Sequence, residues 1–174
     1  DILGLSTLRM IESCIRRILI IEGKHNPTFQ DVLKFYNEKL HPDVIDTNDQ
    51  EVYRNVFRQG KWAGIFQFTE PGAQKFCQKV KPASIVDISA VTSIFRPGPL
   101  SAGVDRAFMH AVHNPDEIYY ENEVIKDVTK ETYGFLIFQE QIALLAHKLG
   151  KDLSLDRGSL LRKLLTIKGT DKTK

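Results

Sequence analysis

The sequence predicts a mainly α-helical domain of several helices, with at most a short β element near Trp62 to Phe68. Apolar residues recur at helical spacing along most of the chain, and glycine or proline follows most of these runs. Only residues 61–68 have strong β character, because aromatic residues dominate that stretch. A chain of 174 residues with 42% hydrophobic and 26% charged residues is typical of a globular protein that buries a core.

Three helices are predicted before residue 61, at residues 6–23, 27–41 and 48–60. Ser6 or Thr7 is the expected N-cap of the first, because a hydroxyl accepts a hydrogen bond from the amides of the first turn. Glycine ends the first and third helices, and a histidine-proline step breaks the second.

Six further helices are predicted after the β-like stretch. Pro71 should occupy the first turn of one, another should start from Ser84, and Ser154 should cap the last. The acidic segment 116–131 is expected to be an exposed connector that contains one helix. In order, the helices are predicted at residues 69–82, 84–96, 101–113, within 116–131, at 139–150 and at 154–165.

Cysteine, histidine and apolar patterns exclude several classes of protein. Cys14 and Cys77 lie in apolar runs without C-x-x-C spacing, which predicts buried free thiols rather than a zinc site or a disulfide framework. His110 and His113 are one helical turn apart, but no third metal ligand is evident, so a surface pair is favoured. The longest apolar run, residues 18–21, is too short to cross a membrane, and no signal peptide pattern opens the chain. We therefore expect a cytoplasmic protein without membrane contact.

The stretch 95–99, Phe-Arg-Pro-Gly-Pro, is predicted to form a rigid basic turn. Each proline fixes φ at about −65° and removes an amide donor, and Gly98 can adopt a positive φ. Arg96 precedes a proline, so it should end a helix on a stiff backbone. Its planar guanidinium then suits a bidentate grip on a phosphate or carboxylate. The alternative is a solvated arginine at a helix end.

Two other features favour phosphate binding. Gln139, Glu140 and Gln141 form a polar trio between apolar residues at the head of a helix, so some of these amides should face a groove. The formal net charge of the chain is only +2, but residues 151–174 are locally basic and could contact a polyanion; a solvated helix face is the equal alternative. Binding a nucleoside triphosphate without a P-loop requires such a set of groups: a fixed arginine, amides that form hydrogen bonds, and a basic helix. The chain carries no motif for self-contained catalysis.

Five motifs occur in the order and at the approximate spacings of one known family. They are Asp1-Ile2-Leu3-Gly4-Leu5-Ser6-Thr7-Leu8, Gly64-Ile65-Phe66-Gln67, Phe95-Arg96-Pro97-Gly98-Pro99-Leu100, Thr132-Tyr133-Gly134 with Phe138-Gln139-Glu140-Gln141, and Leu161-Arg162-Lys163. On these residues the chain resembles the C-family bacterial replicative DNA polymerases, the family of the DNA polymerase III alpha subunit.

The resemblance implies a fragment of a DNA-directed DNA polymerase with a fingers-type fold. Residues 1–5 would be the last edge of the palm, and residues 6–174 the N-terminal part of the fingers. Asp1 matches the third catalytic carboxylate of the family, which binds Mg²⁺ together with two upstream aspartates that this chain does not contain. Because two-metal phosphoryl transfer needs several carboxylates, the chain alone is expected to be inactive.

The resemblance also implies the partners and the nucleotide contacts. The partners would be primer-template DNA, deoxynucleoside triphosphates, the remainder of the polymerase chain, and the sliding clamp and other replisome subunits through parts not in this chain. The chain departs from the family pattern at Phe138 for tyrosine, Ser159 for aspartate, Lys163 for arginine and Ile167 in place of a lysine-rich run. The residues implied to bind the nucleotide are Arg96, Gln139, Glu140, Gln141, Arg162, Lys163 and Lys168.

Two other functions remain open from the residues alone. One is a non-catalytic helical nucleic-acid-binding module that uses the basic C-terminal segment, and the other is an interaction scaffold that uses the acidic segment 116–131. Trp62, Phe66 and Phe68 could form a stacking wall against nucleic acid, although a place in the core is favoured. Only the polymerase hypothesis explains why Arg96, the glutamine trio and Arg162 occur together.

Overall fold

The computed structural model describes residues 5–166, and within this range it contains ten α-helices and no β-strand. The predicted mainly α-helical fold is therefore confirmed. One π-helical turn and two 3₁₀ turns complete the regular structure of these residues. The helices are α1 (Ser6–Ile21), α2 (Phe29–Lys39), α3 (Gln50–Val52), α4 (Pro71–Val80), α5 (Ile85–Ile94), α6 (Pro97–Ser101), α7 (Val104–His113), α8 (Glu123–Thr129), α9 (Gln139–Leu149) and α10 (Leu155–Thr166).

Helices α1 and α2 pack against each other at the start of the described chain. The N-cap of α1 is Leu5, whose apolar side chain cannot accept a hydrogen bond from the first turn, so the prediction of Ser6 or Thr7 as the cap was wrong by one or two residues. The N-cap of α2 is Thr28, which forms a capping box with Asp31. Arg16 Nη1 donates to the Pro27 carbonyl oxygen at 2.6 Å and ties α1 to the start of α2.

The β-like stretch does not form a strand. Its chain turns repeatedly, with Gly64 at φ 77° and Gln67 at φ 64°. The rings of Trp62 and Phe68 stack with their centroids 5.2 Å apart, and Phe68 is buried. Packing of aromatic rings into the core has overridden their preference for strands. The core placement favoured for Trp62 and Phe68 is confirmed, whereas Phe66 is half exposed.

The main core lies between α4, α5 and α7. Pro71 occupies the first turn of α4 as predicted, and Ser84 caps α5 through a capping box with Asp87. The buried members of this core are Phe68, Ala73, Phe76, Cys77, Val80, Ala90, Val91, Ile94 and Phe108.

Helices α8, α9 and α10 follow in sequence and pack one on the next. Helices α9 and α10 approach closely at Gly158, where a Cβ atom would lie 2.5 Å from the Ala143 carbonyl oxygen. Only glycine permits the two backbones to come this near. This contact fixes the position of the α10 residues that follow it.

The two cysteines differ in their surroundings. Cys77 is fully buried, and burial, with a smaller contribution from the charge of Asp87, raises the pKa of its thiol to about 12. Cys14 is exposed, so the prediction that it is buried was wrong. The reason is that α1 buries only Ile15 within the described chain. None of the helices between residues 5 and 166 has both the length and the apolar character needed to cross a membrane.

Candidate nucleotide-binding site

Arg96 lies at a sharp reversal between α5 and α6. Phe95 has φ −74° and ψ 62°, and Arg96 N donates to the Ile94 carbonyl oxygen at 2.7 Å, which together define an inverse γ-turn. Arg96 itself is extended, as expected before a proline, and serves as the N-cap of α6. Its carbonyl oxygen accepts a hydrogen bond of 3.0 Å from Leu100 N. The backbone of Arg96 is therefore held on both sides.

The Pro-Gly-Pro sequence forms a helix rather than the irregular turn that was expected. Pro97 and Pro99 are the first and third residues of α6. The amides at these positions have no partner within a helix, so a proline there loses no hydrogen bond. Gly98 does not adopt a positive φ. The predicted stiffness is retained, but its source is the first turn of a helix.

Phe95 anchors this turn to α4. A Cβ atom on Gly72 would lie 2.6 Å from Phe95 Cζ, so the absence of a side chain at position 72 makes the slot for the ring. The Phe95 ring also stacks on Phe76, with centroids 6.3 Å apart. The residue before Arg96 is thus fixed by the core.

An open cavity of about 250 Å³ lies beside the Arg96 turn. Arg96 is exposed, and its guanidinium forms no hydrogen bond or ion pair with any residue of the described range 5–166. A cation without a protein partner can accept an anionic ligand without breaking an existing pair. The cavity is lined by Gln67, Phe68, Thr69, Glu70, Ala73, Val91, Thr92, Phe95 and Arg96.

A second polar cluster forms where α10 meets the first turn of α9. Arg162 Nη1 donates a hydrogen bond of 2.9 Å to Gln139 Oε1, and it lies 4.0 Å from Glu140 Oε1. The side chain of Arg162 is 27% exposed, whereas that of Glu140 is 83% exposed. Arg162 lies one helical turn after Gly158 and so shares the face of α10 that approaches α9. The amides at the N-terminus of α9 add positive potential beside this guanidinium.

Gln141 has a structural role that the sequence did not indicate. It is 9% exposed, its Oε1 accepts from Ile137 N and Phe138 N, and its Nε2 donates to Val128 O and Thr132 Oγ1. All four bonds are between 2.7 and 3.0 Å long. A contact between this amide and a nucleotide would require breaking one of them.

The remaining predicted site residues are distributed as follows. Lys163 is exposed on α10, next to Arg162. Asp1 and Lys168 lie outside the described residues. Phe138 is partly buried against the main core, an environment in which it needs no hydroxyl. The structure thus brings Gln139, Glu140 and Arg162 together, whereas Arg96 lines a cavity to which none of these three contributes.

A partly buried pair, which no sequence pattern indicated, connects α5 with the segment before α9. Asp87 is 4% exposed, and its Oδ1 accepts a hydrogen bond of 3.2 Å from the Tyr133 hydroxyl. Burial, followed by the charge of Asp87, raises the pKa of Tyr133 to about 12. The Ser84-x-x-Asp87 spacing could have indicated the helix cap, but nothing local indicates a partner 46 residues away.

Metal ligation has no support in the part of the chain that the structure describes. No group of three histidine, cysteine, aspartate or glutamate side chains there lies close enough to hold an ion. His113 Nε2 is hydrogen-bonded to the Lys79 carbonyl oxygen, and His110 lies 3.7 Å from Glu117. The surface pair favoured for the two histidines agrees with these contacts.

Comparison with known proteins gives consistent results along the whole chain. The chain is 31% identical over 174 residues to a DNA polymerase III subunit alpha from Campylobacter jejuni, an alignment that covers 100% of this chain and 13% of that protein. It is 30% identical over 165 residues to proteins of the same name from Helicobacter pylori strain J99 and Chlamydia trachomatis serovar D, covering 95% of this chain and 12% of each relative. It therefore spans only about an eighth of the length of these relatives. Residues 14–174 match the family model described as the bacterial DNA polymerase III alpha subunit finger domain. The chain belongs to this finger-domain family.

Proposed function

We propose that this chain is the finger domain of a DNA-directed DNA polymerase and binds the triphosphate of the incoming deoxynucleotide. Membership of the finger-domain family supports this role. The observation that carries the proposal is the Arg96 guanidinium, which is exposed, without a protein partner among residues 5–166, and fixed at the backbone by a γ-turn and a helix start. The fixed backbone places the base of this side chain, and the unpaired guanidinium can bind a phosphate without first breaking an ion pair.

Arg162 is proposed as the second phosphate ligand. Its hydrogen bond to Gln139 uses one of five N–H donors, and Glu140 at 4.0 Å is beyond hydrogen-bonding distance. The planar fork therefore keeps donors for a bidentate contact with phosphate oxygens. Gln139 and Glu140 then act by orienting Arg162, while Lys163 and Lys168 supply further positive charge near the triphosphate or the primer-template DNA.

The metal ions of the reaction are proposed to bind elsewhere in the enzyme. The residues between 5 and 166 do not fit a magnesium site, since no group of three ligands comes together there. We propose that Asp1 holds Mg²⁺ with carboxylates from other parts of the polymerase, so the isolated chain is inactive. Residues 1–5 then belong to the palm and residues 6–174 to the fingers. The proposed setting is the bacterial cytoplasm, where the complete polymerase works with its clamp and other replisome subunits.

The test is primer extension by the complete polymerase that contains this sequence. Arg96→Ala and Arg162→Ala should each raise the KM for deoxynucleoside triphosphate about 10-fold to 100-fold, because a charge-assisted hydrogen bond contributes about 1.5–3 kcal/mol. Arg17→Ala is the matched control, because Arg17 is an exposed arginine on α1. An unchanged KM in both variants would contradict the proposal. A salt-dependent loss of DNA affinity with no effect on nucleotide would instead favour a nucleic-acid-binding module.

A further inference from the structure

Helix α5 links the Arg96 turn to a second part of the molecule. Arg96 follows the C-terminal end of this helix, and Asp87 lies in its first turn. The eight residues from Asp87 to Ile94 span about 10 Å of helix, at about 1.5 Å for each step between residues. A hydrogen-bonded helix of this length is rigid, so fixing Asp87 at its start also fixes the residues at its end.

Asp87 is built into the start of α5. Its Oδ2 accepts hydrogen bonds from Ala83 N at 2.8 Å and Ser84 N at 3.1 Å. Its Oδ1 is left to face Tyr133, whose hydroxyl donates to it at 3.2 Å. The carboxylate is buried, so losing the Tyr133 hydroxyl would leave Oδ1 without this donor and away from water.

Tyr133 is fixed on its own side as well. Its backbone is in the left-handed region at φ 53°, and its ring packs edge-on against the buried Phe108 with centroids 5.6 Å apart. Gly134 follows at φ 87°, where a side chain would be strained. These features set the direction in which the chain leaves Tyr133 toward α9.

Hydrogen bonds that begin at Thr132, the neighbour of Tyr133 in the chain, connect this segment with the first turn of α9. The hydroxyl of Thr132, the residue before Tyr133, donates to the Phe135 carbonyl oxygen at 2.6 Å. Gln141 Nε2 donates to the same hydroxyl, and Gln141 Oε1 holds the amides of Ile137 and Phe138. The next residue is Gln139, the hydrogen-bond partner of Arg162.

We propose that Tyr133 is a positioning residue, which through its hydrogen bond to Asp87 fixes the Gln139–Arg162 cluster relative to the Arg96 turn. The inference rests on the proposed function, since it concerns two guanidiniums that must reach one triphosphate. Neither Tyr133 nor Asp87 touches the nucleotide in this account. Their role is to hold the guanidiniums of Arg96 and Arg162 at a fixed position relative to each other.

The test compares two tyrosine-to-phenylalanine variants in the complete polymerase. Tyr133→Phe removes the hydroxyl that reaches Asp87. Tyr53→Phe is the matched control, because Tyr53 is a buried tyrosine whose hydroxyl donates a single hydrogen bond, as that of the half-buried Tyr133 does. The acceptor of Tyr53 is the Thr47 carbonyl oxygen, which belongs to neither phosphate-binding group. Tyr133→Phe should raise the KM for deoxynucleoside triphosphate about fivefold with kcat changed less than about twofold, whereas Tyr53→Phe should leave KM within about twofold.

Amide hydrogen exchange gives a second readout that does not depend on nucleotide. The amides of Ile137 and Phe138 should exchange faster in Tyr133→Phe and at the original rate in Tyr53→Phe. Equal KM values in the two variants, alongside a raised KM in Arg96→Ala, would overturn the positioning role while leaving the proposed function intact. An unchanged KM in both Arg96→Ala and Arg162→Ala would overturn the proposed function, and the positioning role with it.

Discussion

Arg162 Nη1 donates a hydrogen bond of 2.9 Å to Gln139 Oε1, which joins residues 23 positions apart in the chain. This bond places a guanidinium from the middle of α10 beside the first turn of α9. A lone surface arginine samples many rotamers, and an amide acceptor at this distance restricts them. Gln139 is thus expected to act on nucleotide binding through Arg162.

Gln139→Leu tests that indirect action. The substitution removes the acceptor and should raise the KM for deoxynucleoside triphosphate about threefold, because Arg162 loses its fixed orientation. In an Arg162→Ala background the same substitution should have no further effect, which a double-mutant cycle in primer extension measures. Gln59→Leu is the control, since Gln59 is an exposed glutamine whose amide donates to Asn55. Additive effects of Gln139→Leu and Arg162→Ala would contradict the indirect role.

Gly72→Ala tests the anchor of the Arg96 turn. The new Cβ atom would lie 2.6 Å from Phe95 Cζ, so the ring must move and take the neighbouring Arg96 with it. We expect this displacement to raise the KM for nucleotide about fivefold. Alanine stabilises a helix relative to glycine by about 1 kcal/mol, so loss of α4 would not be the cause. Phe95→Leu in the same chain shortens the clashing side chain and should bring KM back toward the original value. A KM unaffected by Gly72→Ala would show that Phe95 does not set the position of Arg96.

Gln141 is predicted to matter for stability. Gln141→Leu leaves the amides of Ile137 and Phe138 and the Val128 carbonyl oxygen without their partner, at a cost of about 1–3 kcal/mol for each buried group that stays unpaired. Faster hydrogen exchange across residues 135–141 should report the loss. Gln141→Glu keeps the acceptor for the two amides and should be less damaging. Equal exchange rates in Gln141→Leu and the unmodified protein would contradict the structural role.

The sequence was most informative where one local signal decides the structure. Pro71 at a helix start and Ser84 before an apolar run at helical spacing are such signals, and α4 and α5 begin where these residues predict. The aromatic stretch near Trp62 was harder to interpret, because its rings find partners in the core and the backbone turns to place them there.

In the candidate site, too, local signals could be predicted from the sequence and contacts between distant residues could not. The stiff backbone of Arg96 could be predicted from the prolines that follow it. The four bonds of Gln141 and the pairing of Tyr133 with Asp87 depend on residues brought together only by the fold. No local pattern around these residues indicates the partners that the fold brings to them.

The thiols give a prediction that depends on pH. Burial raises the pKa of Cys77 to about 12, so this thiol stays protonated at pH 7–10 and supplies almost no thiolate. Cys14 is exposed and should be alkylated first by iodoacetamide in the native protein, with Cys77 reacting only after denaturation. Mass spectrometry of digested, labelled protein measures both sites. Rapid native labelling of Cys77 at pH 8 would contradict the buried core described here.

Arg96 and Arg162 are expected to bind the same triphosphate. The most direct measurement is a structure of the complete polymerase with primer-template DNA and an incoming deoxynucleoside triphosphate. We predict that both guanidiniums lie at about 2.7–3.2 Å from phosphate oxygens of that one nucleotide. A nucleotide bound with either guanidinium pointing into solvent, or with the two arginines on different ligands, would contradict the account.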